Sequence, residues 1–286
     1  MLPNFTKKIR YKLKFFPSLI IYEGLKYTKI QQSSILKELY LTGFYENELI
    51  KFFNFFEYDF FWDIGANIGF FSFYVSKKKK WDVEAYEPYK LNCDYMKELM
   101  VLNNINFNLN SLAVSDSTKE KKFYVPTKKS SSLLSSSATL NYSENEEYLK
   151  SKSFLTKYVK TVSFSNLLKK INLKKKYLIK VDIEGEEFKV FKSVKGIIGK
   201  FRNVDFIVEF NIGSTFNKKL FEIFKINGYE SYLLTNIGLV KEDRPLVLPR
   251  FNDTNFLKAG WRNHFFTKKK KNIIKTRNLK IFKDHI

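Results

Sequence analysis

One cysteine, Cys93, in a chain of 286 residues leaves no partner for an internal disulfide and no thiol cluster for zinc. Nothing in the chain requires an oxidising compartment, and the cytoplasm is the expected location. No run approaches the roughly 18–20 consecutive apolar residues that span a bilayer. The basic N-terminus carries no apolar stretch ending in a small-residue cleavage site, so no leader peptide is read there. Arginine is scarce as well, occurring only at positions 10, 202, 244, 250, 262 and 277 among 51 basic residues. The net charge of +22 invites a nucleic-acid partner. Planar, bidentate phosphate recognition favours arginine, however, and its scarcity makes nucleic acid the disfavoured alternative. The lysine runs at Lys77–Lys80, Lys174–Lys176 and Lys268–Lys271 read as solvated element ends, and the abundance of Lys, Asn, Ile, Phe and Tyr as a coding bias.

What is present concentrates in a few short segments. Phe60-Phe61-Trp62 followed by Asp63-Ile64-Gly65-Ala66-Asn67-Ile68-Gly69 reads as a buried strand, a tight glycine turn and a helix start, the geometry with which open α/β sheets hold nucleoside cofactors. Gly65 and Gly69 suit a backbone that turns sharply against a ligand, and Asp63 adds a polar anchor at the strand end. A second strand, Trp81 to Tyr86, ends in Glu87-Pro88. Glu87 lies 24 positions after Asp63, near the spacing of about 20 at which an acidic residue meets the two ribose hydroxyls. A dinucleotide site prefers Gly-x-Gly-x-x-Gly, but Asn67 stands at the second glycine position and the last glycine has moved up to Gly69. The turn therefore favours a cofactor without a pyrophosphate.

Periodicity extends the alternation. Tyr45, Leu49, Phe52, Phe53 and Phe56 form a helical stripe before the first strand, and Leu91, Tyr95, Leu99 and Leu102 another after the second. A third strand is predicted over Asn106–Ser115, with an added strand at Lys121–Val125. Val159–Val162 reads as a short strand, with Ser165 capping a helix at Asn166–Lys170. Tyr177–Val181 reads as the fourth core strand, with Asp182, Glu184, Glu186 and Glu187 crowding its end. Glu186 and Glu187 are expected to complement a helix N-terminus. Phe188, Phe191, Val194 and Ile198 carry the following helix, Val204–Phe210 is a fifth strand ending in Glu209, Phe216–Phe224 leads to a helix stop at Gly228, and Asn263–Thr267 is a last strand. Strands alternating with helices predict a doubly wound, mostly parallel sheet with helices on both faces and ligands at the carboxyl ends of the strands.

The segments Phe61–Gly69, Tyr86-Glu87-Pro88, Ser130–Leu134, Val162–Leu168 and Ile179-Lys180-Val181-Asp182-Ile183-Glu184-Gly185-Glu186, in that order, resemble the FkbM family of S-adenosylmethionine-dependent methyltransferases. The resemblance runs from about Phe44 to Thr267. It implies a class I methyltransferase, Rossmann-like α/β fold over residues 44–267, flanked by a basic, aromatic extension (1–43) and a basic tail (268–286). It also implies S-adenosylmethionine as cofactor and an O-methyltransferase acting on a sugar, glycan or small natural product. Glu46 on the leading helix and Ala113 after the third strand join Asp63, Gly65, Asn67, Gly69 and Glu87 as expected cofactor contacts.

Displacement at a sulfonium methyl by a neutral hydroxyl gains from a base that takes the hydroxyl proton. Asp182 is the first candidate, then Glu184, then Glu209; His264 is expected to be a packed or hydrogen-bonded residue. The carboxylates fall short of a metal-ligand set, and no metal site is read. The serine-rich Ser130–Ser137 stretch is either a plain loop or a lid. The N-terminal segment, with Lys7, Lys8, Arg10, Lys12 and Lys14 among apolar residues, is read as an arm packing on the domain, peripheral contact with an anionic membrane being the alternative. A nucleic-acid methyltransferase and a non-catalytic cofactor-binding protein remain as alternative functions. Oligomeric state is not read.

Overall fold

The computed structural model describes residues 16–127, 138–140, 153–211, 216–236, 238–242, 261–268 and 281–282. The basic residues 7–14 and the serines at 130–137 lie outside the described residues, and the membrane and lid readings lie there with them. Among the described residues no helix is long and apolar enough to cross a membrane.

A hairpin of β1 (Leu19–Tyr22) and β2 (Leu25–Thr28) is followed by helix α1 (Ser34–Thr42), which Ser33 caps by accepting from the Leu36 N–H. Leu25 and Tyr27 are buried in the main core, and the Tyr95 hydroxyl donates to the Thr28 carbonyl. Residues 16–42 thus pack on the same body as the rest. The aromatic stripe around Phe52 forms α2 (Asn47–Phe55).

The central sheet then begins. Strands β3 (Phe60–Ile64), β4 (Asp82–Tyr86) and β5 (Asn108–Asn110) alternate with helices α3 (Phe70–Lys78) and α4 (Lys90–Asn103). The predicted third strand is split: β5 ends at Asn110, and after a turn closed by Leu112 N–H on the Asn110 carbonyl the chain forms β6 (Ala113–Ser115) in a different sheet. There β6 runs parallel to the long β8 (Ser153–Ser163), which also pairs antiparallel with β7 (Glu120–Thr127). The predicted short strand at Val159–Val162 is the end of β8. Ser163, not Ser165, caps the next helix, α5 (Phe164–Leu168), accepting from the Asn166 N–H at 3.2 Å.

The chain returns through β9 (Tyr177–Val181), α6 (Glu187–Ser193), β10 (Val204–Asn211), α7 (Asn217–Ile226), β11 (Glu230–Thr235), β12 (Gly238–Lys241), β13 (Trp261–Thr267) and β14 (Ile281–Phe282). Among the described residues nine strands make one sheet in the order β14-β12-β11-β13-β10-β9-β3-β4-β5. The run from β10 to β5 is parallel throughout, and β13 and β11 extend it antiparallel.

Strand residues alternate between the faces. Phe61, Leu178, Ile207 and Phe265 face α2, α3 and α4; Trp62, Ile179, Val181, Phe206 and Phe266 face α5, α6 and α7. Both faces are covered, as the doubly wound expectation requires. One helical stripe sits differently from its reading: Leu91 and Leu102 are exposed, and α4 buries Asn92, Cys93, Tyr95, Met96 and Leu99 instead.

Candidate active site

The register of four neighbouring strands collects the polar residues of the core. Asp63 on β3 is opposite Lys180 on β9, Lys180 is opposite Ile207 on β10, and Glu209, two residues further along the same face, is opposite Asn263 on β13. All four polar side chains are therefore on the face covered by α2, α3 and α4, toward the carboxyl ends of the parallel strands.

The glycine turn is welded to the end of β9. Gly65 has φ of +81°, and a Cβ there would lie 1.8 Å from the Asp182 carbonyl oxygen; the Asp182 N–H donates to the Ile64 carbonyl at 3.0 Å. Gly69 opens α3 with φ of +75°, and a Cβ would meet Met96 Sδ at 2.7 Å. Between them Asn67 adopts φ of +55°, a left-handed conformation that asparagine tolerates better than most residues. Its N–H donates to Glu87 Oε2 at 2.9 Å, while the Tyr89 N–H donates to Oε1 at 2.8 Å. Burial pushes the Glu87 carboxyl up to about 8, against the pull of these hydrogen bonds. Asp63 is 1% exposed; its Oδ2 accepts from Ser72 Oγ at 2.6 Å, and its Oδ1 has no partner among the described residues. Burial raises its carboxyl, and Lys180 opposes the rise.

Lys180 is 2% exposed, its Nζ 2.7 Å from Asp182 Oδ2 and 5.4 Å from the Phe71 ring centroid. Burial would discharge this ammonium, but Asp182, Glu46, Asp63 and Glu209 more than offset it and hold it cationic. Glu46 enters at the N-cap of α2, where its Oε2 accepts from Asn263 Nδ2 at 2.9 Å and burial pushes its carboxyl up to about 7. Glu184 and Glu209 are both raised well above the ordinary carboxylate range, by burial first and by repulsion from Asp182 second.

The turn after β9 is held from three sides. Glu184 has φ of +54°, strained for a residue with a side chain. Glu187 accepts from the Ile183 and Gly185 N–H groups, and Thr139 Oγ1 donates to the Glu184 carbonyl at 2.6 Å. Glu187 thus closes the turn as well as opening α6, whereas Glu186 points away and accepts from Ser115 Oγ at 2.9 Å, tying in the small sheet.

Glu46, Asp63, Asp182, Glu184 and Glu209 therefore surround one lysine, with Glu87 beside Asp63. Ala113 is buried in β6, three positions past the end of β5, and offers no polar side chain. His264 stands apart: it is on the opposite face, Nε2 2.9 Å from Glu242 Oε2, with its ring against Phe210 and Phe221. Lys180 and Asn263 carry roles that motif reading does not assign. The available signal was a charged residue inside the otherwise apolar five-residue strand Tyr177–Val181, since a buried charge needs partners. Among the described residues no three His, Cys, Asp or Glu side chains are arranged to hold a metal ion.

Residues 63–231, more than half of the chain and including both the glycine turn and the acidic turn, match the methyltransferase FkbM domain. The chain belongs to the FkbM methyltransferase family. It is thus an S-adenosylmethionine-dependent methyltransferase of the class I, Rossmann-like α/β fold. Similar solved structures include the N-terminal domain of human METTL16 (9% identity, 93% of this chain and 94% of that one, TM-score 0.45). Others are precorrin-6y C5,15-methyltransferase from Geobacter metallireducens (10%, 77% and 85%, 0.39) and M. jannaschii TYW2 in complex with AdoMet (12%, 88% and 85%, 0.39). No curated protein matches the chain. The residues of this FkbM domain fit the cofactor: Asp63 Oδ1 is a buried acceptor lacking a donor among the described residues, and Glu87 is a buried carboxyl beside the glycine turn, held by the Asn67 and Tyr89 N–H groups and the Asn92 side chain.

Proposed function

We propose that this FkbM-family protein methylates a hydroxyl oxygen of a polyhydroxylated acceptor, a sugar, a glycan or a small natural product. The observation that carries this reading is the charge gathered at the strand ends: Glu46, Asp182, Glu184 and Glu209 cluster there around the buried Lys180, which is paired with Asp182. Carboxylates accept from hydroxyls and repel phosphates, so this site suits a polyol better than a polynucleotide, whatever the lysines on the surface attract.

When bound, S-adenosylmethionine supplies a methyl group on a positively charged sulfur. Glu87 is assigned to the ribose hydroxyls, with Gly65, Asn67 and Gly69 shaping the turn beneath. Asp63 and Glu46 supply acceptors for the cofactor's positively charged end, and Ala113 a backbone contact. Asp182, Glu184 and Glu209 face the acceptor, aligning its hydroxyl and receiving its proton; alignment contributes by removing the entropy of a bimolecular encounter.

Titration calorimetry with S-adenosylmethionine, with NAD as control, tests the cofactor half. Transfer of a labelled methyl group to a panel of sugars, glycans and small polyols, run beside total RNA, tests the acceptor half. Label appearing only in RNA would replace this reading with the nucleic-acid one, and cofactor binding with no transfer to any acceptor would favour a binding protein.

A further inference from the structure

Three carboxyl groups, Asp182, Glu184 and Glu209, feel the charge of Lys180, and the geometry treats them unequally. Asp182 is tied to Lys180 through a 2.7 Å ion pair, with Lys180 almost wholly buried. Glu209 lies on the neighbouring strand, two residues past the register partner of Lys180 and on the same face. Its carboxyl accepts no hydrogen bond from the described residues; Asn263, its register partner, gives its amide to Glu46 instead. Glu184 stands off these strand rows, on the left-handed turn held by Thr139 and Glu187.

We propose that Glu209 is the catalytic base of methyl transfer and that Lys180 is the positioning residue that gives it this task, by committing Asp182 as a permanent counter-ion. The inference rests on the hydroxyl-acceptor reading above. In the step, the acceptor O–H proton passes to a Glu209 carboxylate oxygen and the acceptor oxygen forms the new bond to the methyl carbon. The carbon–sulfur bond breaks with its electron pair remaining on sulfur, which leaves a neutral thioether, a methyl ether and a neutral Glu209 carboxyl that returns its proton to water.

A carboxylate locked to a buried ammonium is a reluctant proton acceptor, whereas one beside another carboxylate accepts a proton readily. The groups that set this order are Asp63 from β3, Asp182 on Lys180's own strand, Glu46 and Tyr45 from the start of α2, and Glu184 from the turn, with the Phe71 ring of α3 closing one side. Lys180 lowers Glu209 less than burial and these acids raise it.

The test uses the full chain with carbon-13 labelled carboxyl groups, titrated by NMR without acceptor, alongside pH profiles of transfer to whichever hydroxyl acceptor the panel yields. As pH falls, Glu209 is expected to take up its proton above the ordinary carboxylate range. In Asp182→Asn, Lys180 turns its charge on Glu209, whose protonation then moves to lower pH. Glu209→Gln is expected to lose about 10²–10⁴ in kcat with KM and cofactor affinity within about threefold of the parent. Lys180→Met is expected to raise the acid limb of the kcat profile, as Glu209 loses the positive charge that lowers it; if that variant does not fold, the Asp182→Asn titration carries the test. Protonation of Glu209 only within the ordinary carboxylate range, or undiminished turnover in Glu209→Gln, would overturn the assignment. Absence of transfer to any hydroxyl, with Glu209 protonating as stated, would instead remove the hydroxyl-acceptor reading and the base role with it.

Discussion

Two carboxyl groups proposed to hold the cofactor are pushed up toward neutrality, Glu87 to about 8 and Glu46 to about 7, each raised first by burial. Hydroxyl donors and cations bind the ionised form, so S-adenosylmethionine affinity is expected to rise by at least about tenfold between pH 6 and pH 9, tenfold being the effect of one unit of linked titration. A flat calorimetric profile over that range would refute the assignment of both residues. The same shifts act on stability with a fixed sign. A carboxyl raised above its unfolded value of roughly 4.3 binds a proton more tightly when folded, so the cofactor-free protein loses stability as pH climbs from about 4.3 through 7 to 8. Glu46→Gln removes one such penalty. It is expected to raise the cofactor-free Tm by about 2–4 °C at pH 8.5, the shift that roughly 1 kcal/mol gives in domains of 150–250 residues, and by less at pH 5. An equal change at both pH values would count against a protonation origin. Glu87, Asp63, Asp182 and Glu209 were legible in the sequence because acids at strand ends stand out against apolar runs. The partnership of Lys180 with Asp63, Glu46 and Glu209 was not, because it depends on strand register and on a helix start, with Asp63 and Glu46 more than a hundred residues away in the chain.

The elements differ in how tightly they depend on single side chains. Gly65 joins β3 to the end of β9, and a Cβ there would overlap the Asp182 carbonyl oxygen. Gly65→Ala is accordingly expected to cost more than about 3 kcal/mol and to abolish cofactor binding. Gly24, in the β1–β2 turn, has a similar φ of +77° with nothing within 4 Å of a Cβ. Gly24→Ala is expected to cost only about 1–2 kcal/mol, the penalty of the left-handed conformation itself. Thermal unfolding of the two variants side by side checks the distinction, and equal losses would deny the close approach. Strand positions were well read from the sequence: Tyr177–Val181 coincides with its expectation, because a buried parallel strand is a short apolar run. The split between β5 and β6 escaped, since what ends β5 is the departure of the chain to pair with β8, some fifty residues later. The face of α4 escaped for a different reason. Buried Asn92 and Cys93 there are small or polar, and their neighbours Leu91 and Leu102 mimic the stripe.

At the scale of the whole molecule, a net charge of +22 coexists with a cleft in which one lysine faces five acids. Surface and cleft are thus expected to behave oppositely toward salt. RNA binding through the lysine surface should weaken steeply between 50 and 200 mM salt, while transfer to a neutral polyol should change by less than about threefold. Parallel salt dependence of the two would return nucleic acid to the front as acceptor. The doubly wound layout and both covered faces were legible from the alternation of strands and helices. The order of strands at the far edge was not. β13 follows β11 and β12 in the chain yet lies between β11 and β10 in the sheet. A nascent chain leaving the ribosome therefore completes its parallel half, and even the β11–β12 hairpin, while β10 still presents a bare edge bordered by Phe206, Val208 and Phe210. Only the arrival of residues 261–267 seals that edge, and the same strand brings Asn263 to Glu46. The growing chain thus stays open to mispairing, and without its finished cleft, until nearly all of the described fold has been made.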